Sequence, residues 1–574
     1  METLFSIQGG LRRWMPIAGI LAVSIVSGYP FLFGGMHIGH DSVEHLQRYS
    51  CVVEQFWRGE IYPRWLARMN SGLGSPIMFV YAPLPYLVPT LLRPLLPLGA
   101  AHNRESLELG ISLWFALLLS GLTAFLWLRT LAAGTSALIA AIVYMLMPYH
   151  LSIDLYARDA VAEMWTFAWM PLCLYFAGRL IETEQPAEMR PRLAGLGLAI
   201  SYALLIYTHL MITVLFTPAL AAMLVFYPQP KARYSTLRNG CGWLALGLGL
   251  AAAYWMPAAA HVHNLSPQRM VAANSKLAYD FNFAFAWRAL KSQTGDDLFL
   301  WKISWVAATT LAAAVAAFLL ARRLNRRISD FWLGVAVMSL LMMLPLSRVV
   351  WKVVPALSAI QFPWRFSTTL VLAATALLAM ACDALAENRG GWRSFAGATV
   401  AGIVLVWVVT DAKSVLSAAP WSPNMSLHFG DTWLPVWSQT DPAYQTPQGL
   451  LLLSQRPAVG GNWSGAVSIH RWNARDLEFT SSVKAGNWLT VRRLYYPGWA
   501  AMTANGRELQ VRPSPDTGLV DIQAPAGMNR IRLALPWTWA EKLGTGISAV
   551  LLFFVAFLWL TRTAERRKAS LDNA

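Results

Sequence analysis

Apolar runs of bilayer length recur along nearly the whole chain, and they leave few folds open. The first extends from about Met15 to Phe33. Further runs centre near residues 87, 117, 141, 171, 200, 219, 248, 309, 339, 375, 403 and 552. About 20 predominantly apolar residues span the hydrocarbon core as a helix. Of 574 residues 56% are hydrophobic and only 13% charged, against about 25% charged in a soluble domain. A single soluble globule is excluded, and so is a disordered chain, which needs the opposite composition. The expected fold is a polytopic α-helical membrane protein. The formal net charge of +16 then reads as basic cytoplasmic loops, with no nucleic-acid partner expected. Cys51, Cys173, Cys241 and Cys382 lie far apart, so the sequence offers neither a disulfide framework nor a paired-cysteine metal site.

Orientation decides which runs cross. Leu11-Arg12-Arg13-Trp14 precedes the first run, and Gly28-Tyr29-Pro30 stands where a cleavable signal would need small residues. An uncleaved first helix with its basic end inside is expected. If the run at 77–98 also crossed, Lys231 to Arg238 and Arg322 to Arg327 would fall outside, against the positive-inside rule. That run carries Pro83, Pro85, Pro89, Pro94 and Pro97, which suits a broken, surface-lying segment better than a straight span. About twelve crossings follow, with both termini cytoplasmic. Residues 1–414 form the membrane module, whose first outer loop covers about 35–105, with a short outer loop at 150–160. Residues 415–541 form an outer domain, and 542–574 a last helix with a basic tail. The outer domain alternates at Trp488-Leu489-Thr490-Val491-Arg492 and Leu519-Val520-Asp521-Ile522, with turn signals at Pro497-Gly498 and Asn505-Gly506. These features predict a β-rich, sandwich-like domain before the last helix. Its tryptophans Trp421, Trp433, Trp463, Trp488 and Trp499 are either sugar-stacking platforms or β-domain core and membrane-facing contacts.

The first outer loop holds the most unusual chemistry. His37-Ile38-Gly39-His40-Asp41-Ser42-Val43-Glu44-His45 follows the first helix directly. A carboxylate there reaches both a lipid-borne substrate and water, so Asp41 could take a proton from an acceptor hydroxyl. It could equally be a helix N-cap, as could Ser42, with Glu44 in the first turn. His37, His40, Asp41, Glu44 and His45 also suggest a divalent-metal cluster, although i,i+4 spacing puts them on two different helix faces. The second outer loop carries Arg158, Asp159 and Glu163. Glu163 at a membrane edge needs a partner or a function. Arg158 is either that partner or a phosphate ligand, since its fork donates two parallel hydrogen bonds. Lys352 and Arg365 either snorkel to the headgroups or clamp an anionic lipid phosphate. His209 is the clearest other near-membrane polar residue, expected at the outer end of a helix. There is no GxxxxGK[ST], no dinucleotide fingerprint, no HExxH and no GxSxG.

An Asp just after the first helix, an interfacial Pro-rich segment and a second outer-loop acid resemble the GT-C class of integral membrane glycosyltransferases. More closely, three stretches resemble bacterial membrane proteins labelled "6-pyruvoyl-tetrahydropterin synthase-related". They are His40-Asp41 with Tyr62-Pro63-Arg64-Trp65 and Asn70 to Tyr86; Tyr156-Ala157-Arg158 with Glu163; and Gln361-Phe362-Pro363-Trp364-Arg365-Phe366. The label describes similarity and brings no pterin chemistry with it. Tyr495-Tyr496-Pro497-Gly498-Trp499 with Asn505-Gly506 looks like the outer β-domain of related proteins.

The resemblance implies a polyprenyl-phosphate-sugar donor used on the periplasmic side of a bacterial inner membrane. The acceptor would be an envelope glycan, a glycolipid or a protein, reached by inverting displacement. It makes Asp41 the general base and Asp159 or Glu163 the second acid. Arg158 and Arg365, with Lys352 and Arg64, would hold the donor phosphate. His40, Glu44, His45, Tyr62, Asn70, Tyr81 and Gln361 would line the substrate. Some members use a divalent metal and others none. Two rivals stand beside this reading: a lipid-linked-glycan transporter or flippase, which needs a polar path through the helices, and a non-catalytic scaffold for polysaccharide assembly.

Overall fold

The computed structural model describes residues 7–97, 103–182, 190–265, 278–292, 295–358, 360–387, 392–418, 434–439, 447–461, 467–483 and 487–572. Among them, helices occupy every run expected to cross. In chain order these are α1 (Ile7–Phe33), α4 (Arg104–Leu128), α5 (Gly134–Leu146), α6 (Val161–Glu182), α7 (Arg190–Thr208), α8 (Leu210–Phe226) and α9 (Arg233–Leu250). The short α10 (Ala252–His261) follows α9. The later ones are α11 (Gly295–Ala321), α12 (Arg326–Met343), α13 (Ser367–Glu387), α14 (Trp392–Ala418) and α15 (Trp539–Asp572). The first outer loop contributes α2 (Ser42–Trp57) and α3 (Leu84–Leu92). Among the described residues, six helices are long and apolar enough to cross a membrane, or eight if each of two bent pairs is one span. The bends are 120° between Leu210–Phe226 and Pro230–Leu250, and 82° after Met343. The chain is therefore a polytopic α-helical membrane protein.

The Pro-rich run at 77–98 forms one 3₁₀ turn at Ile77–Phe79, the nine-residue α3 and a second turn at Arg93–Leu95. Nine residues rise about 14 Å, half of what a bilayer core needs. The expected short loop at 150–160 is instead helical. Tyr149–Arg158 is a π-helix that continues α5, and it closes at Asp159 in the left-handed region, φ 52°. Wide π turns of this kind cluster at functional sites.

The expected β-rich domain is present between Val459 and Ala534. Its strands are β1 (Val459–Gly460), β2 (Val467–Trp472), β3 (Asp476–Val483), β4 (Trp488–Leu494), β5 (Ala500–Thr503), β6 (Glu508–Leu509), β7 (Val511–Pro513), β8 (Leu519–Gln523) and β9 (Gly527–Ala534). They form two antiparallel sheets, ordered β1-β4-β8-β7 and β2-β3-β9-β5-β6. Alternation buries Leu477 and Phe479 from one sheet against Leu489, Val491, Val520 and Ile522 from the other. The sharp turns fall where expected, with Gly498 and Gly506 at positive φ. Helix α14 runs to Ala418 and α15 starts at Trp539.

The same β core takes in Trp65, Leu73 and Phe79 from the first loop. Leu494 N–H donates to Leu73 O at 2.9 Å, and Trp65 meets Trp499 edge-on at 5.5 Å. Gly74 permits this seat, because a Cβ there would lie 2.4 Å from Trp65 Nε1. The first loop is thus packed between the helices and the β-domain. Trp499 is domain core; Trp421, Trp433 and Trp463 lie outside the described residues.

Candidate functional site

Asp41 is held by backbone. His40 N–H donates to Ala157 O at 3.1 Å and Asp41 N–H to Arg158 O at 2.9 Å. The close approach requires Gly39, where a Cβ would sit 2.8 Å from the Arg158 carbonyl carbon. Ser42 Oγ accepts from Gly39 N–H and donates to Asp159 Oδ2, both at 2.6 Å. Asp41 occupies the N-cap position of α2, yet its side chain caps nothing. Its carboxylate is 41% exposed and stands 3.4 Å from Arg158 Nη2.

Beneath it lies a buried cluster assembled by the π turn. Arg158 Nη1 pairs with Asp154 Oδ1 at 2.6 Å and with Glu163 Oε2 at 2.8 Å. Tyr149 O–H donates to Glu163 Oε1 at 2.8 Å. Arg365 Nε reaches the same Glu163 Oε2 at 3.3 Å. Trp364 and Phe362 sit against the two guanidiniums, 4.8 Å from Arg158 and 5.0 Å from Arg365. The two arginines differ. Arg158 is committed to three carboxylates, whereas the terminal nitrogens of Arg365 make no hydrogen bond among the described residues. Arg365 therefore presents an open fork, the form that binds phosphate or carboxylate best.

The two acids that the sequence could not separate have different surroundings. Asp159 is buried and tied to Ser42, and burial pushes its carboxyl well above the usual range despite hydrogen bonds from Ser42 and Gly39. It shapes the turn under Asp41. Glu163 joins both arginines.

The other expected site residues divide as well. His45 is buried with Nδ1 2.8 Å from Tyr86 O–H, and burial lowers its pKa to about 3, with Asp41 pulling up and Arg48 and Arg158 pulling down. Its imidazole is neutral. Tyr81 lies under Arg48 at 4.7 Å, and burial raises its phenol, so it stays protonated beside Asp41. His40 turns to Phe299 at 4.6 Å, and Glu44 pairs with Arg48 at 2.8 Å. Gln361 is half-buried just before the Pro363–Phe366 turn.

Four of the expected residues lie away from this cluster. Arg64 is not at the cluster: it is buried, paired with Glu541 at 3.2 Å, bonded to Ala253 O at 2.7 Å and stacked on Tyr62 at 3.9 Å. Tyr62 goes with it. Asn70 is in the left-handed region with its amide on Gly74 O, and it shapes the loop that seats the β-domain. Lys352 is exposed on the short helix Arg348–Val353 and joins none of these contacts among the described residues.

The divalent-metal cluster does not assemble. Among the described residues no group of three or more His, Cys, Asp or Glu converges on a metal position. His45 is engaged by Tyr86, His40 faces an aromatic ring, and Glu163 and Asp154 face arginine. The donor set does not fit a metal.

Sequence reasoning overlooked Asp154 and Tyr149, and gave Ser42 only a capping role. The i,i+4 spacing of Asp154 and Arg158 was the available signal. His209 caps α8 through Ile212 N–H, as a helix-end histidine, and lies near enough to Glu163 and Arg365 to feel their charges.

No family model matches the chain, and no curated protein matches it. Among solved structures it is similar to the arabinofuranosyltransferase AftD from mycobacteria, at 18% identity and TM-score 0.48, covering 70% of this chain and 27% of that one. It is also similar to the Archaeoglobus fulgidus oligosaccharyltransferase, at 13% identity and TM-score 0.46, covering 76% and 58%. A third is ArnT from Cupriavidus metallidurans bound to undecaprenyl phosphate, at 13% identity and TM-score 0.34, covering 67% and 79%. The chain thus spans little more than a quarter of AftD and under two thirds of the oligosaccharyltransferase. Likeness at this level leaves the function to be argued from geometry.

Proposed function

We propose that this chain is a membrane glycosyltransferase of GT-C type that uses a polyprenyl-phosphate sugar. The observation that carries the reading is a half-exposed carboxylate, Asp41, that caps nothing and stands over a buried arginine–carboxylate cluster with one open guanidinium. In the proposed reaction an acceptor hydroxyl oxygen attacks the anomeric carbon as Asp41 takes its proton. The bond from that carbon to the phosphate oxygen breaks, its electron pair stays on oxygen, and polyprenyl phosphate leaves. The Arg365 fork meets the charge that grows there. Asp154 and Glu163 hold Arg158, and Arg158 orients Asp41. Glu163 is the second acid of this scheme, in a positioning role.

In this reading all twelve apolar helices cross, the basic loops and both termini are cytoplasmic, and the cluster faces the periplasm of a bacterial inner membrane. Nucleotide sugars are absent there, which favours a lipid donor. The acceptor is an envelope glycan, glycolipid or protein.

The test is a panel of radiolabelled polyprenyl-phosphate sugars given to the lipid-reconstituted chain and to Asp41→Asn. Transfer by the wild type, reduced about a thousandfold in the variant with unfolding unchanged, is the expected result. Donor binding without turnover in both proteins would favour the transporter reading. No binding to any donor would overturn the proposal in favour of a scaffold.

A further inference from the structure

The β-domain carries a second polar site on the outward face of its four-stranded sheet. Along β4, alternation sends Leu489 and Val491 into the core and leaves Trp488, Thr490 and Arg492 on the opposite face. Antiparallel pairing sets Thr490 beside Asp521, and Asp521 beside Arg512. These side chains line a cavity of about 840 Å³, within the range of sites for ligands larger than a simple ion.

The row is partly satisfied from within. Thr490 Oγ1 donates to Asp521 Oδ1 at 2.8 Å, and Asp521 is 4% exposed although it faces the cavity. Arg492 is fixed by Ser454 O at 2.7 Å and Arg456 O at 3.0 Å. Arg512 is different. Its guanidinium lies 3.7 Å over the Trp488 ring, and its Nε is 3.8 Å from Asp521 Oδ2, too far for a hydrogen bond. That Nε is buried with no hydrogen-bond partner, and neither terminal guanidinium nitrogen of Arg512 has one among the described residues. A buried donor left unmade is costly, and a charged acceptor is its strongest complement.

Three arginines, Arg456, Arg492 and Arg512, line the cavity against two acids, Asp516 and Asp521. An indole beside hydroxyl and carboxylate groups suits a ring that carries hydroxyls on its edge and C–H on its face. We propose that this sheet face binds a glycan bearing a carboxylate, with that carboxylate on the Arg512 fork and neighbouring hydroxyls on Asp521 and Thr490. The site is independent of the transfer reaction: it reads glycan binding alone, without a lipid donor.

The experiment is calorimetric titration of the full chain in lipid nanodiscs with tetragalacturonate and with neutral maltotetraose. Tetragalacturonate is expected to bind at least tenfold more tightly than maltotetraose. Arg512→Ala should weaken it tenfold or more, and Arg512→Lys, which keeps the charge without the fork, should weaken it by less. Arg512 is 41% exposed, so both variants are expected to fold, which thermal unfolding checks. Equal affinity for the two oligosaccharides, absence of binding, or binding that Arg512→Ala leaves unchanged would each overturn the proposal. The last outcome would place the glycan elsewhere, for instance at the Asp41 cluster.

Discussion

Two arginine–carboxylate clusters flank the first loop, and they are built from the same chemistry to different ends. In one, Glu541 at the start of α15 is shared by Arg64 at 3.2 Å and Arg475 at 2.9 Å, and Thr538 N–H closes its second oxygen at 2.7 Å. Arg64 and Glu541 are 2% and 0% exposed, and the cluster joins the first loop, the last helix and the β-domain. In the other, Asp154, Glu163 and Arg158 are equally buried, but Asp41 reaches solvent and Arg365 keeps an open fork. Burial of ion pairs thus does not mark a site. What distinguishes the proposed site is an exposed carboxylate and an unfilled guanidinium over a closed base.

Substitution should separate the two. The largest effect on chemistry is expected from Asp41→Asn, about a thousandfold in transfer rate, with stability changed by no more than about 0.5 kcal/mol. Glu541→Gln should do the reverse. It strands two arginines and is expected to lower unfolding stability by about 3–5 kcal/mol, read from denaturant titration in detergent. A neutral result there would remove the brace. Arg365→Lys comes next. Losing the fork should raise the KM for the lipid donor about tenfold while kcat moves less; an unchanged KM would remove Arg365 from the phosphate.

A smaller contrast concerns the two acids of the second loop. Burial, then Asp41, raise the Asp159 carboxyl, while Ser42 and Gly39 lower it, for a net rise. A folded-state value above the unfolded one of about 3.9 gives stability that is present at acid pH and lost as pH rises through the folded value. Asp159→Asn mimics the protonated acid. It should be at least as stable as the wild type at pH 7 and keep activity within about threefold. A loss comparable to that of Asp41→Asn would make Asp159 the second acid instead of Glu163.

The smallest effect is expected outside both clusters. For Asp476 burial raises the pKa, but hydrogen bonds from Arg532 and Arg471 outweigh it and hold the carboxyl below its usual range. That stability is present above about pH 4 and lost as pH falls through the folded value. Its partners Arg471 and Arg532 are 43% and 52% exposed, so the loss should stay under about 1 kcal/mol. The denaturation midpoint at pH 3 against pH 6 measures it, and Asp476→Asn should abolish the difference.

Much of this architecture was legible in one dimension. Apolar period and length placed a helix on each expected run, proline density in 77–98 marked a segment too broken to cross, and alternation at Trp488–Arg492 and Leu519–Ile522 located β4 and β8. Those signals are local, since each depends on residues within a turn or a strand of one another. Asp41 stood out for the same reason, as an acid directly after a span. The partners did not. Asp41 meets Arg158 across 117 positions, Glu163 meets Arg365 across 202, and Arg64 meets Glu541 near the other end of the chain. A charged side chain looks alike in sequence whether its counter-ion closes it or leaves it open. Packing of distant elements decides that, and it turned Arg64 and Asn70 into structural residues, set Asp159 under the turn, and left Arg365 with a fork to offer. The sequence by itself determined where the chain forms apolar helices and where it forms sheet, because apolar burial follows local pattern. The tertiary structure alone decided which of many similar charges remained unsatisfied, because charge satisfaction depends on contacts that no local pattern encodes.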